Sequence, residues 1–374
     1  MSNKIENISV VGVGKLGLCL SLNLENSGFN VLGCDINKDY IKSLNEKIFI
    51  SDEPKVTDLL QRSKNINFTT VLGECILFSD VIFLMVATPS SEDGKYNHHQ
   101  IEKVLKQIYS FGKQNNKKTI IIGCTTFPGY CETLVDNLKK LNYDLVYNPE
   151  FIAQGNIING QLYPDMVLIG ESSKDSGNIV ESIHSKVCLN KPTICRMSLT
   201  EAELTKLSIN CFVTTKISFA NMIGDVCNKL NISHEKVLNS IGSDSRIGNK
   251  YLSWGYGFGG PCFPRDNRAL GILCSENDIE PTIPTASDRY NSLHNDYHVD
   301  FLCKNEVINN KITFNGISYK KGSILIEESQ QLEVAKRLSN LGIEVTLIDN
   351  EKVLNQVKEI NGDKFKYINN NDLI

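Results

Sequence analysis

The sequence predicts an α/β protein in three parts. An N-terminal parallel-sheet domain is expected over 1–198, a long central helix opening a helical region over 199–305, and a smaller, shortened α/β domain over 306–374. Three observations predict this. Through the first half, short continuous apolar runs alternate with amphipathic stretches, as buried parallel strands alternate with crossover helices. From Leu199 to about Leu230 the chain has no proline and one glycine, Gly224. After Asn310 the strand–helix alternation restarts. The 374 residues, at about 150 per domain, make two or three domains.

Taken in order, Ile8-Ser9-Val10-Val11 reads as the first strand, Lys15–Ser27 as a helix stopped by Gly28, and Asn30–Cys34 as the second strand. Val81–Val86 and Thr119–Ile122 are continuous apolar runs of the buried-strand kind, and Leu145–Tyr147 is a shorter one. Thr200-x-x-Glu203 reads as a capping box at the start of the central helix. The helical region continues to about Asn309, interrupted by the glycine-rich Gly255–Gly260. Lys311–Gly316 is then a strand, Gln330–Asn340 a helix and Glu344–Asp349 a strand.

Composition excludes several classes. With 41% hydrophobic and 22% charged residues the chain is globular rather than disordered. A net charge of −4 argues against nucleic acid as a partner. No apolar run approaches the roughly 20 residues of a membrane span. Met1–Glu6 runs into the first strand with no signal-peptide core, so a cytoplasmic location is expected. Twelve cysteines are scattered without a Cys-x-x-Cys pair, so no metal site is expected.

Gly12-Val13-Gly14-Lys15-Leu16-Gly17 lies between the first strand and first helix. In a G-x-G-x-x-G loop the first glycine permits the turn, the second lets the backbone approach a pyrophosphate, and the third packs helix on strand. The phosphates then meet the N–H groups and dipole of the helix N-terminus. Asp35 ends the second strand, where a carboxylate binds ribose hydroxyls and repels a 2′-phosphate, favouring NAD over NADP. The N-terminal domain is therefore expected to be Rossmann-type. In Gly257-Phe258-Gly259-Gly260-Pro261-Cys262-Phe263-Pro264-Arg265-Asp266, a nearby cation favours the Cys262 thiolate; locally, Cys262 also reads as one more buried cysteine. Lys206 and Asn210 project from one helix face, suited to an oxyanion or to plain solvation.

Together these pieces resemble the UDP-glucose/GDP-mannose dehydrogenase family, from about residue 4 to 350. The resemblance rests on five motifs: Gly12-x-Gly14-x-x-Gly17 with Asp35; Val86-Ala87-Thr88-Pro89-Ser90 with Glu92-Asp93-Gly94; Asn148-Pro149-Glu150-Phe151 with Pro164-Asp165 and Ile169-Gly170; Glu203-Leu204-x-Lys206-x-x-x-Asn210 running to Lys216–Phe219; and Asp244-x-Arg246-Ile247-Gly248-x-x-Tyr251-Leu252 closing with Gly257–Asp266. The resemblance implies oxidation of a nucleotide sugar's C6 alcohol to a carboxylate with two NAD⁺. It implies Cys262 as nucleophile, Lys206 and Asn210 at the oxyanion, Asp266 aiding water or base chemistry, and Glu150 and Thr125 (or Thr126) handling water. It implies NAD contacts from Gly12, Val13, Gly14, Leu16, Gly17, Asp35, Thr88, Pro89 and Arg265. Sugar-nucleotide contacts are implied for Phe151, Ile152, Lys206, Asn210, Arg246, Tyr251, Phe258, Gly259 and Lys320. It also implies a homodimer built on the central helix, with Arg246 reaching across.

The chain departs from the family pattern in four places. Gln154 stands where many relatives carry Glu, and Arg265 replaces the usual Lys. In the C-terminal domain, Tyr319-Lys320-Lys321-Gly322 through Glu327-Glu328-Ser329 lacks two usual aspartates and puts Glu327 in place of a cofactor-contacting arginine. The chain ends at Ile374, before the family's usual last strands. The motif details look more like UDP-glucose than GDP-mannose oxidisers. Against a working dehydrogenase stands a nucleotide-sugar-binding or regulatory homologue without turnover; a two-electron hydroxyacid dehydrogenase gives Cys262 no role. Steady-state kinetics with both cofactors should show a strong NAD⁺ preference. Asp35→Ala should narrow the kcat/KM ratio by roughly tenfold, the scale of one like-charge contact.

Overall fold

The computed structural model describes residues 5–91, 94–152 and 155–373. Met1–Lys4, the pair Glu92-Asp93 of the second motif and Gln154 lie outside the described residues. The chain divides into two compact units, residues 1–206 and 207–374.

The first unit is built on eight strands: β1 (Asn7–Val11), β2 (Asn30–Cys34), β3 (Ile66–Thr69), β4 (Val81–Leu84), β5 (Lys118–Ile122), β6 (Tyr143–Tyr147), β7 (Met166–Glu171) and β8 (Thr193–Met197). Their order is β3-β2-β1-β4-β5-β6-β7-β8. All pairs are parallel except β6 with β7. The order reverses between β1 and β4, the switch point at which doubly wound sheets bind ligands. The apolar runs are continuous because both faces are buried. Ile8 and Val10 of β1 and Val81 and Phe83 of β4 enter one core, while Val11, Ile82 and Leu84 enter the other. Each such side chain contributes roughly 1.5–3 kcal/mol by leaving water.

The central helix spans Leu199–Lys229. Its capping box is not the expected Thr200/Glu203 pair. Ser198 and Glu201 form it: the Glu201 carboxylate accepts from Ser198 N at 2.8 Å, and Ser198 Oγ accepts from Glu201 N at 3.4 Å. Glu203 is buried and turned away from its own helix end. It accepts from Thr126 Oγ1 at 2.7 Å and from the amides of Gly129 and Cys131 at 2.7 and 2.9 Å. It thus caps the Tyr130–Lys140 helix, whose own N-cap, Gly129, has no side chain to do so.

In the second unit, helices Phe263–Glu276 and Thr282–Asn305 precede a three-stranded parallel sheet. It comprises β9 (Lys311–Asn315), β10 (Glu344–Asp349) and β11 (Lys366–Asn369) in the order β11-β10-β9. Ile312, Phe314, Val345 and Leu347 pack with Leu332 and Leu338 of the Gln330–Asn340 helix. Glu203→Ala should lower unfolding free energy by about 3 kcal/mol in denaturant titration, because the buried Cys131 amide, the half-buried Gly129 amide and the Thr126 hydroxyl lose their acceptor.

Candidate active site

The glycine loop of the first unit is shaped for a dinucleotide. Gly12 has φ +89°, and a Cβ there would lie 2.8 Å from the Met85 carbonyl. A Cβ on Gly17 would lie 1.9 Å from the Gly12 oxygen, so helix and strand approach as closely as backbone allows. A Cβ on Gly14 would meet nothing within 4 Å, leaving that side of the helix N-terminus open to phosphates. Val13 is fully buried, and its carbonyl accepts from the Tyr40 hydroxyl at 2.8 Å. Leu16 is exposed. Asp35 lies just past β2, where its Oδ1 accepts from Asn37 N at 3.1 Å. Thr88 is buried and Pro89 exposed in the segment after β4. These residues fit a bound NAD.

The same unit holds the Glu150 carboxyl group. Glu150 follows β6, and its Oε1 accepts from Gln161 Nε2 at 3.1 Å. Gln161 in turn accepts from buried Asn23 of the first helix at 2.9 Å. Burial pushes Glu150 up to about 7, against the lowering effects of Gln161 and of the Lys206 charge. Lys206 is buried; its Nζ donates to the Glu150 carbonyl at 2.7 Å and lies 4.4 Å from the Phe151 ring centroid. It is not a solvated face residue. Ile152 packs on Gly160 at the edge of the core. Of the two threonines, Thr126 commits its hydroxyl to Glu203, while Thr125 is half-buried.

The second unit holds the thiol. Cys262 is exposed and is the N-cap of the Phe263–Glu276 helix, with Pro264 in the first turn. A helix N-terminus favours a thiolate. Asp266, fully buried, accepts from Asn210 Nδ2 at 2.6 Å and from Arg265 Nε at 2.8 Å, and its amide donates to the Cys262 carbonyl at 2.8 Å. Asn210 and Arg265 are thus oriented by one carboxylate. Phe258 is buried, with its amide and carbonyl both bonded to the Asn291 side chain. A Cβ on Gly259 would lie 2.2 Å from the Glu328 carbonyl oxygen, and Gly260, at φ +80°, packs under the Tyr319 ring. Glu327 is exposed and holds this segment through its own carbonyl, which accepts from Gly260 N at 3.0 Å. Arg246 is exposed and pairs with Asp244 at 2.7 Å. Tyr251, also exposed, meets Phe263 edge-on. Lys320 is exposed next to Lys321, which lines a 620 Å³ cavity at the carboxyl ends of β9 and β10 with Asn315, Asp349 and Asn350. Gln161, Asn23 and Asn291 carry no local motif, so sequence reasoning passed them over.

Residues 6–188 match the NAD binding domain of the UDP-glucose/GDP-mannose dehydrogenase family, and residues 200–293 match its central domain. The chain belongs to this family. It is 30% identical to the UDP-glucose 6-dehydrogenase of Rickettsia bellii, over 97% of this chain and 85% of that one. The GDP-mannose 6-dehydrogenase of Pseudomonas aeruginosa is 29% identical over 91% and 80%. Among solved structures, a UDP-glucose dehydrogenase from Pyrobaculum islandicum superposes with a TM-score of 0.88 at 25% identity, covering 100% of this chain and 88% of that one. Family membership makes the protein an NAD-dependent nucleotide-sugar dehydrogenase.

The raised Glu150 pKa fixes a sign for stability. Its folded pKa of about 7 exceeds the ordinary 4.5, so the folded state holds the proton more tightly. Stability from this group is full below about pH 4.5 and is lost as pH rises to about 7, a change of roughly 3 kcal/mol. Glu150→Gln should therefore gain about 3 kcal/mol over the unmodified protein at pH 8 and only about a quarter of that at pH 5, read by urea unfolding at both.

Proposed function

We propose that the protein oxidises C6 of UDP-glucose to the uronic acid in two steps through a covalent Cys262 adduct. The observation that carries this reading is an exposed thiol at a helix N-cap, followed one turn on by a buried aspartate that orients an amide and a guanidinium. NAD⁺, held by the Gly12–Gly17 loop, Asp35, Thr88, Pro89 and Arg265, supplies the hydride acceptor for both oxidations.

The first oxidation leaves an aldehyde. The Cys262 thiolate adds to its carbon, and the resulting oxyanion is stabilised by Lys206 and Asn210 and takes up a proton. The thiohemiacetal so formed carries a C–H bond from which a second hydride leaves to the nicotinamide as the hydroxyl proton is released, giving a thioester. Water adds to the thioester, the thiolate departs, and the product is a carboxylate. Glu150, poised near neutrality, accepts the water's proton with help from Thr125, and Asp266 holds Asn210 in place. The sugar nucleotide is bound by Phe151, Ile152, Arg246, Tyr251, Phe258, Gly259 and Lys320, with the 620 Å³ cavity at the sheet's carboxyl ends suited to the nucleotide.

The enzyme works as a cytoplasmic homodimer in this reading. Phe212, Phe219, Met222 and Val226 form an exposed apolar stripe at helical spacing on the central helix, with exposed Leu230 just past its end. Arg246, exposed and paired with Asp244, serves the partner subunit in this reading. GDP-mannose is the alternative substrate, and the exposed Glu327 motivates the alternative of a non-catalytic binder.

The test is NADH formed per mole of limiting UDP-glucose, with the product identified by mass. Two NADH and no released aldehyde are expected. Cys262→Ser should abolish acid formation, by several powers of ten, while NAD binding persists. A ratio near one with free aldehyde removes the covalent step. Retained UDP-glucose and GDP-mannose binding without NADH favours the binder.

A further inference from the structure

The second unit contains a buried histidine that this chemistry does not use. His294, on the Thr282–Asn305 helix, is fully buried. Its Nε2 lies 2.6 Å from the carbonyl oxygen of Gly255, and its Nδ1 lies 2.8 Å from Oδ2 of Asp225 on the central helix. A carbonyl oxygen only accepts, so Nε2 carries a hydrogen. The Asp225 carboxylate also accepts from the Trp254 indole at 2.9 Å and from the Tyr290 hydroxyl at 2.7 Å. Both carboxylate oxygens are thus already acceptors, Oδ1 for the indole and Oδ2 for the hydroxyl, so in the His294 pair Nδ1 is the donor and carries a hydrogen as well.

We infer that His294 is held as an imidazolium paired with Asp225, and that it is a positioning residue latching the glycine-rich segment Gly255–Gly260 that leads to Cys262. Both polar backbone groups of Gly255 are taken, its amide by Asn221 Oδ1 at 3.1 Å and its carbonyl by His294. One turn before His294 on the same helix, Asn291 takes both backbone groups of Phe258. A Cβ on Gly257 would lie 2.1 Å from Asn291 Oδ1, so the segment runs against this helix face with no room for a side chain. A charged donor makes a bond about twice as strong as a neutral one. His298, one turn on, stacks between Trp254 and Tyr256 at 4.9 and 4.5 Å. Burial, and next the His294 charge, push His298 down to about 4, while Asp225 opposes. Burial raises the Tyr290 and Tyr256 phenols.

The link from latch to turnover rests on the role proposed for Cys262; the charge state and the latch do not. In ¹⁵N-labelled full-length protein at pH 7.5, the His294 ring, assigned by its loss in His294→Gln, should show two protonated nitrogens. One deprotonated nitrogen overturns the charge assignment. Hydrogen–deuterium exchange of peptides spanning 255–262 should be at least tenfold faster in His294→Gln, with the 7–34 region unchanged; equal exchange overturns the latch. Should His294→Gln not fold, Asp225→Asn serves: it should remove one His294 ring proton and speed exchange at 255–262 at least threefold, and no change in either overturns the proposal. With UDP-glucose, His294→Gln should raise KM about tenfold with a smaller fall in kcat. Absence of turnover in the unmodified protein counts against the proposed reaction and leaves the first two readouts standing.

Discussion

The buried Glu203 carboxylate is the constraint on which the first unit's chemistry depends. Ionised or not, it must be bonded in the interior, and its three donors all come from the turn after β5. That requirement fixes the start of the central helix against the Thr125–Cys131 segment. Lys206, three residues on, lies on the same side of the helix and is thereby delivered to the Glu150 carbonyl. The Lys206–Glu150 contact is thus located by the bonds that Glu203 makes three residues earlier on the helix.

The second unit repeats the device with other residues. Asp266, fully buried, binds Asn210 and Arg265, and Asp225 binds Trp254, Tyr290 and His294. Each carboxylate collects donors from separate stretches of chain. The surrounding loop is rich in glycine and has little secondary structure of its own, so these anions supply the order that a sheet supplies in the first unit.

The doubly wound fold was legible because its strands are buried on both faces, which makes β1, β4 and β5 continuous apolar runs. The glycine loop was legible because its spacing encodes its geometry. The capping box was misassigned because Thr200/Glu203 and Ser198/Glu201 share one spacing, and only the tertiary demand of three distant donors decides which glutamate turns inward. That Cys262 sits at a helix N-cap could have been read from Pro264, a residue favoured in a helix's first turn. Gln161, Asn291 and His294 were not legible: their partners lie 11 to 138 residues away, and no local pattern marks an amide or imidazole that will be buried.

The contacts beneath the thiol also bear on how the chain can vary. Gly259 touches the Glu328 carbonyl, Gly260 lies under Tyr319 and donates to Glu327, and two residues later the backbone reaches Cys262. The stretch from Tyr319 to Glu328 is therefore a template rather than a surface loop. The Glu327 side chain can change in character, because that residue acts through its backbone carbonyl, whereas the Glu328 carboxylate pairs with Arg268 at 2.6 Å. The length of the template cannot: a residue gained or lost there would displace the segment that carries Cys262, so drift in this region is expected to be by substitution rather than by insertion or deletion.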